Sequence, residues 1–225
     1  MTDIRSQDIT LVRRRTKKNI IAEIYRYDGT LVKRFIKTAP RPDTREVWRI
    51  EDSALRRLTG LNVPKTFGFV ENQLNGALEI IYAREFMDGN PIGQFEVKDM
   101  EPLARMMAQI HGRGVVTRDP SLENFIRTPD GEIVFIDFGR SAIFNPKNPL
   151  LIDYQAKELA RVRCHALGGD NTLYRPFHKM YFTFFPRDKV RRRLMEHIAE
   201  RWFLRFERKH LCKKQEAIDA ALISK

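Results

Sequence analysis

With 225 residues and 42% hydrophobic content, the chain can supply one substantial core, divided at most between two lobes. Forty-one Lys and Arg against 29 Asp and Glu leave a formal charge of +12, which favours acidic partners such as nucleotides, phospholipid head groups, phosphorylated sugars or nucleic acid, without choosing among them. Two distant cysteines, Cys164 and Cys212, and five scattered histidines argue against a disulfide framework or a zinc site. No apolar run reaches the length of a membrane span, and the charged stretch Asp3 to Lys18 has no secretory core, so a reducing cytoplasm is the expected location.

In chain order, Arg13-Arg14-Arg15 with Lys17-Lys18 reads by default as a solvated, partly disordered basic extension over residues 1–18, with phosphate binding as the alternative. Period-two alternation then predicts strands from Asn19 to Tyr27 and Leu31 to Ile36, joined by a turn at Asp28-Gly29. A helix is expected from about Thr44, its cap, to Thr59, ending near Gly60. Val47, Ala54, Leu55 and Leu58 mark its apolar face, and Glu51 falls in the middle of that face, whereas Glu46 does not. A carboxylate there is costly unless paired; the alternative is that it sits at the margin and reaches water. Strands Thr66 to Val70 and Ala77 to Phe86 follow, with a turn through Asn72 to Gly76, and Asp88-Gly89-Asn90-Pro91 punctuates the chain.

Beyond that break, Leu103, Met106, Met107 and Ile110 recur at the spacing of an amphipathic helix. Gln109 to Val116 reads as the end of this helix and a short strand. Thr117-Arg118-Asp119-Pro120-Ser121-Leu122-Glu123-Asn124 is then a loop in which an acid precedes an Asn by five positions. Pro129-Asp130-Gly131 turns a hairpin between Asn124–Arg127 and Glu132–Ile136, and Asp137-Phe138-Gly139 ends it. Asn145-Pro146-Lys147-Asn148-Pro149 leads to a helix from Asp153. The last helix is expected from Arg191 to about Lys214. Met195, Ile198, Ala199, Trp202, Phe203 and Phe206 form its stripe, and Arg193, Arg201, Arg205 and Arg208 lie off the stripe's centre. Packing on the domain is the commoner fate of such a helix; lying on an anionic membrane is the alternative.

The loop, its Asn and the following Asp-Phe-Gly resemble the catalytic loop and metal-binding motif of the protein-kinase superfamily. The resemblance covers about Ile20 to Leu167. It implies an α+β, bilobal fold, with a strand-rich lobe over about 19–87 and a mainly helical lobe over about 91–225. It also implies ATP and Mg²⁺ as cofactors. Asp119 would take the acceptor proton, and Asn124 and Asp137 would hold Mg²⁺ beside the phosphates. Lys33, two apolar residues into the second strand, resembles the phosphate-binding lysine, with Lys37 the weaker choice, and Glu51 would be its partner. Ala83 to Met87 would face adenine, which places Glu85 and Met87 among the nucleotide contacts.

Several departures bear on the acceptor. No Gly-rich loop occurs near the first strands, Thr117 replaces the usual His, and Pro120 the usual Leu. Ser121 stands where many protein Ser/Thr kinases carry Lys, and no Ala-Pro-Glu follows. The compact pattern is most similar to lipopolysaccharide core sugar kinases, with RIO-like kinases as neighbours. This implies phosphorylation of a sugar hydroxyl on a membrane glycolipid, with the inner membrane face as a peripheral location. An atypical protein Ser/Thr kinase is the alternative, and a pseudokinase-like binding protein a further one. Nucleic acid is not an expected partner, because no sheet of stacking aromatics stands out.

Overall fold

The computed structural model of the protein describes residues 9–17, 20–38 and 46–223, with side chains throughout except Lys17 and residues 210–223. The expected helix cap Thr44, and Lys18 and Asn19, lie outside the described residues, as does the Cys212 side chain. The protein is α+β and forms two compact units. One comprises the chain to Asp88 together with Ile136–Arg140; the other comprises Gly89–Phe135 and Ser141–Lys225.

The first unit is built on five antiparallel strands: β1 (Thr10–Lys17), β2 (Ile20–Tyr27), β3 (Thr30–Lys37), β4 (Thr66–Leu74) and β5 (Ala77–Glu85). Their order is β1-β2-β3-β5-β4. The β2–β3 and β4–β5 hairpins each turn on a residue pair with positive φ, Asp28-Gly29 and Asn75-Gly76. That conformation matches the twist of the flanking strands. The second hairpin is tighter than expected, so β4 runs on to Leu74.

Helix α1 (Val47–Arg57) lies against one sheet face, where Trp48 packs with Ile80 and Tyr82, flanked by Phe35, Phe69 and Leu78. Asp52 ties the helix to the start of β4 by accepting the Thr66 hydroxyl at 2.7 Å, and pairs within the helix with Arg56 Nε at 2.8 Å.

The first correction concerns the N-terminus. Thr10–Lys17 is not a solvated tail but the edge strand of the sheet, with a bulge between Leu11 and Arg13. Apolar alternation could not reveal it. Leu11 and Val12 are about half exposed, and the strand is held by backbone pairing, its edge guarded by cations.

The second unit is mainly helical. Helix α2 (Met100–Gly112) buries the expected Leu103, Met106, Met107 and Ile110. It packs with α4 (Asn171–Phe184), and α3 (Leu151–Arg161) packs with α5 (Lys189–Ile223). Helix α3 thus begins two residues before the expected Asp153, and α5 extends past both expected ends. Met195, Ala199 and Phe203 of the α5 stripe are buried, which is the packed alternative.

Small strand pairs complete this unit: β6 (Asn90–Pro91), β8 (Phe125–Arg127) and β9 (Ile133–Phe135) form one sheet, and β7 (Val115–Val116) pairs with β10 (Ala142–Ile143). Phe95, Phe125 and Phe135 meet edge to face beneath the hairpin, at 5.4 and 5.2 Å between ring centres. Between α2 and β7 the chain turns at Gly114, with φ of +76°; a Cβ there would collide with the Phe144 carbonyl. Among the described residues, no helix is long and apolar enough to cross a membrane.

Candidate functional site

In the first unit, strand alternation turns Lys33 of β3 toward α1, whose apolar face carries Glu51. Lys33 Nζ donates to both Glu51 carboxylate oxygens, at 2.9 and 2.7 Å. Glu51 is 2% exposed and Lys33 13%, so the carboxylate is buried and the lysine is mostly so. A buried carboxylate needs such a partner. A second cation also reaches it: Arg84 Nε of β5 lies 3.0 Å from Glu51 Oε1, and its Nη1 donates to the Glu85 carbonyl at 2.9 Å. One buried carboxylate therefore stands between two cations.

Asp137 belongs to the same unit. Its Oδ1 lies 3.9 Å from Lys33 Nζ and accepts the Gly139 amide at 3.1 Å, while its side chain is 48% exposed. Space at Gly139 is tight: a Cβ there would lie 3.3 Å from Asp137 Oδ1 and 3.5 Å from Val47 Cβ. Phe138 is fully buried. The Asp-Phe-Gly turn is thus packed against α1 beside Glu51, with the Asp137 carboxylate left toward solvent.

Glu85 and Met87 lie where β5 ends. Glu85 accepts the Lys65 amide on its carboxylate at 3.0 Å, and the next amide, Phe86, donates to the Gly29 carbonyl at 2.7 Å. Met87 is half-buried. Lys37, the other lysine considered, is engaged elsewhere: its ammonium lies 4.4 Å over the Trp48 ring, and burial pushes its pKa down.

In the second unit, the loop Thr117–Asn124 is anchored from below by Glu158 of α3, which is fully buried. Glu158 accepts the Thr117 amide at 3.0 Å, the Arg118 amide at 2.8 Å and the Thr117 hydroxyl, and meets His111 Nε2 at 2.8 Å. The other ring nitrogen of His111 lies 2.7 Å from the Tyr181 hydroxyl of α4. Burial pushes the Tyr181 pKa well up, so its hydroxyl stays protonated. This anchorage holds Arg118 at φ of +66°, a backbone conformation that a non-glycine residue adopts only when its surroundings impose it.

The same loop is closed from above by Asn124. Its Nδ2 donates to the Asp119 carbonyl at 2.9 Å and to Ser121 Oγ at 3.1 Å, and the Ser121 amide also donates to the Asp119 carbonyl, at 2.8 Å. With Nδ2 committed, Oδ1 is the atom left to accept or to ligate. Ser121 serves this closure through its hydroxyl and its amide.

Lys33, Glu51 and Asp137 are therefore brought together in the first unit, and Asp119 and Asn124 in the second. Arg84 and Glu158 escaped the sequence reading. Arg84 carried a signal, since it alternates with the buried Ile80 and Tyr82 on β5 and so puts a cation in an apolar stripe. Glu158 carried none, because two of its partners are backbone amides. Among the described residues, no cluster of three His, Cys, Asp or Glu could hold a metal ion. Mg²⁺ held by one or two carboxylates plus substrate phosphates does not require one. No protein-family model matches the chain, and no curated protein matches it.

Proposed function

We propose that the protein is an ATP- and Mg²⁺-dependent kinase with a bilobal, protein-kinase-like fold, transferring the γ-phosphoryl group to a hydroxyl. The observation that carries this reading is the meeting of Lys33, Glu51 and Asp137. A strand lysine, a helix glutamate and the aspartate of Asp-Phe-Gly, distant in sequence, converge within 3.9 Å of one ammonium. The first unit fits the group: Asp137 presents an exposed hard oxygen, of the kind that holds Mg²⁺ together with phosphates and water. Mg²⁺ bound there supplies charge neutralisation on the phosphate oxygens.

Lys33, held rigid by Glu51, pairs with the phosphates, and Asp119, on a loop fixed by Glu158 and Asn124, accepts the proton of the attacking hydroxyl. Phosphoryl transfer asks mainly for positioning and charge stabilisation, and these residues supply both.

The acceptor that suits the chain is a lipopolysaccharide core sugar. Ser121 is spent on closing the loop, so the phosphate-stabilising lysine of a peptide kinase is replaced by a structural contact. The net charge of +12 suits a phosphorylated glycolipid on an anionic leaflet. With the α5 stripe buried, such attachment would rest on exposed arginines such as Arg191, Arg193 and Arg201. The test is incubation with γ-labelled ATP and Mg²⁺ against envelope glycolipid, cell protein and RNA, with Asp119→Asn as control. Label should enter glycolipid and fall on the order of a hundredfold or more in the variant. Label in protein Ser or Thr alone would favour the protein-kinase alternative.

A further inference from the structure

The phosphate side of this site has no Gly-rich loop. Only Lys18 and Asn19 separate the paired Lys17 and Ile20, and neither is glycine. What the first hairpin offers instead is a triplet of arginines, which the register of the sheet divides between its two faces.

Residues directly opposite one another share a face, and neighbours along a strand alternate. Arg13 stands opposite Ile24, and Ile24 opposite Lys33; Arg15 stands opposite Ala22, and Ala22 opposite Phe35. Arg13 and Arg15 therefore share the face of Lys33, Glu51 and α1. Arg14 falls on the far face. There it lies 3.4 Å from Glu23 in a ladder that continues through Arg34 to Glu79, with Arg34–Glu23 at 3.2 Å and Arg34–Glu79 at 2.7 Å. All three arginines are exposed; the middle one is ion-paired, while the outer two, among the described residues, make no ion pair. The Trp48 cluster of α1 covers residues of β3, β4 and β5 on this face and none of β1 or β2.

We propose that Arg13 and Arg15 bind the polyphosphate of the nucleotide, supplying with guanidinium side chains the contacts that loop amides would otherwise make; this rests on the kinase reading. Two strand spacings put the Arg13 backbone about 10 Å from that of Lys33, and Arg15 lies about 7 Å further along β1. A polyphosphate held at Lys33 would come within reach of these long side chains. The face carries Lys33, Arg84, Arg13 and Arg15 against Glu51 and Asp137, an excess of cations that a polyphosphate would neutralise. Arginine forks match phosphate oxygens two at a time.

The test is calorimetric titration of the full chain with Mg·ATP and with adenosine. Arg13→Ala and Arg15→Ala should each weaken ATP by about tenfold, the scale of one charge-assisted hydrogen bond, and leave adenosine unchanged. Arg14→Ala removes the same charge from the same strand, on the other face, and should leave ATP within about twofold, inside the range of surface-pair effects. Arg13→Lys and Arg15→Lys, which keep charge and strand, should fall between. Unchanged ATP affinity in the Arg13→Ala/Arg15→Ala double variant overturns the proposal alone. So does an equal loss in Arg14→Ala, which would indicate a general field, or an equal loss of adenosine. Failure of the wild-type chain to bind Mg·ATP overturns the kinase reading and this proposal together.

Discussion

Two buried glutamates, one in each unit, do opposite jobs. Glu51 is surrounded by charge: Lys33 and Arg84 both approach its carboxylate, and Lys33 remains partly open. Glu158 is surrounded by hydrogen-bond donors of the loop it supports, two of them main-chain amides, with His111 closing the set. The first therefore positions a side chain that can act on a ligand, and the second positions a backbone. Removing Glu51 should blunt chemistry and also leave the buried Arg84 without its carboxylate, whereas removing Glu158 should loosen the loop it anchors.

The largest expected effect follows from Glu158. Glu158→Ala strands the Thr117 and Arg118 amides in a dry site and should cost on the order of 3–5 kcal/mol of stability in urea denaturation. A loss below about 1 kcal/mol would mean that water or a rearranged loop replaces the carboxylate, and the contrast with Glu51 would fail.

Lys33→Ala and Glu51→Ala should each lower phosphoryl transfer on the order of a hundredfold, about 2.7 kcal/mol of barrier. The double variant should lose little more, because the two act as a unit. Strictly additive losses in labelled-ATP turnover would show that they act separately.

A smaller and pH-dependent effect belongs to Asp99 and Arg127, a bidentate pair at 2.6 and 2.9 Å that ties β8, just past the loop, to the start of α2. Burial pushes the Asp99 carboxyl up, but Arg127 and the Glu96 amide together hold it below its ordinary value. A depressed carboxyl contributes stability above its unfolded value of about 3.9 and loses it as pH falls through the folded value. Arg127 is 30% exposed, so water screens part of the pair. Arg127→Ala should therefore cost about 1–2 kcal/mol at pH 7, and the gap to wild type should close below about pH 4. A gap constant down to pH 3 in thermal melts would remove Asp99 ionisation as its source.

The sequence made one glutamate visible and hid the other for a physical reason. Glu51 interrupts the apolar stripe of its own helix, and a charge in a buried stripe demands a partner that a strand lysine could supply. Glu158 looks like any helix acid, since its need is met by amides that no sequence pattern marks. The same distinction explains β1: its Arg-rich sequence carries almost no apolar alternation, and only ladder hydrogen bonds make it a strand. The helix around Met106 and the hairpins at Asp28-Gly29 and Pro129-Asp130-Gly131 were legible because periodicity and turn chemistry are local. The pairing of Arg84 with Glu51 joins separate elements and became visible only in their packing.

The central claim is that the first unit holds Mg·ATP through Lys33 and Asp137. Titration of the full chain with ATP, with and without Mg²⁺, in wild type and Asp137→Ala tests it most directly. The account predicts that Mg²⁺ strengthens ATP binding in wild type and that this enhancement disappears in Asp137→Ala, with the melting profile of the variant unchanged. Equal Mg²⁺ enhancement in both proteins, or no ATP binding by wild type, would contradict it.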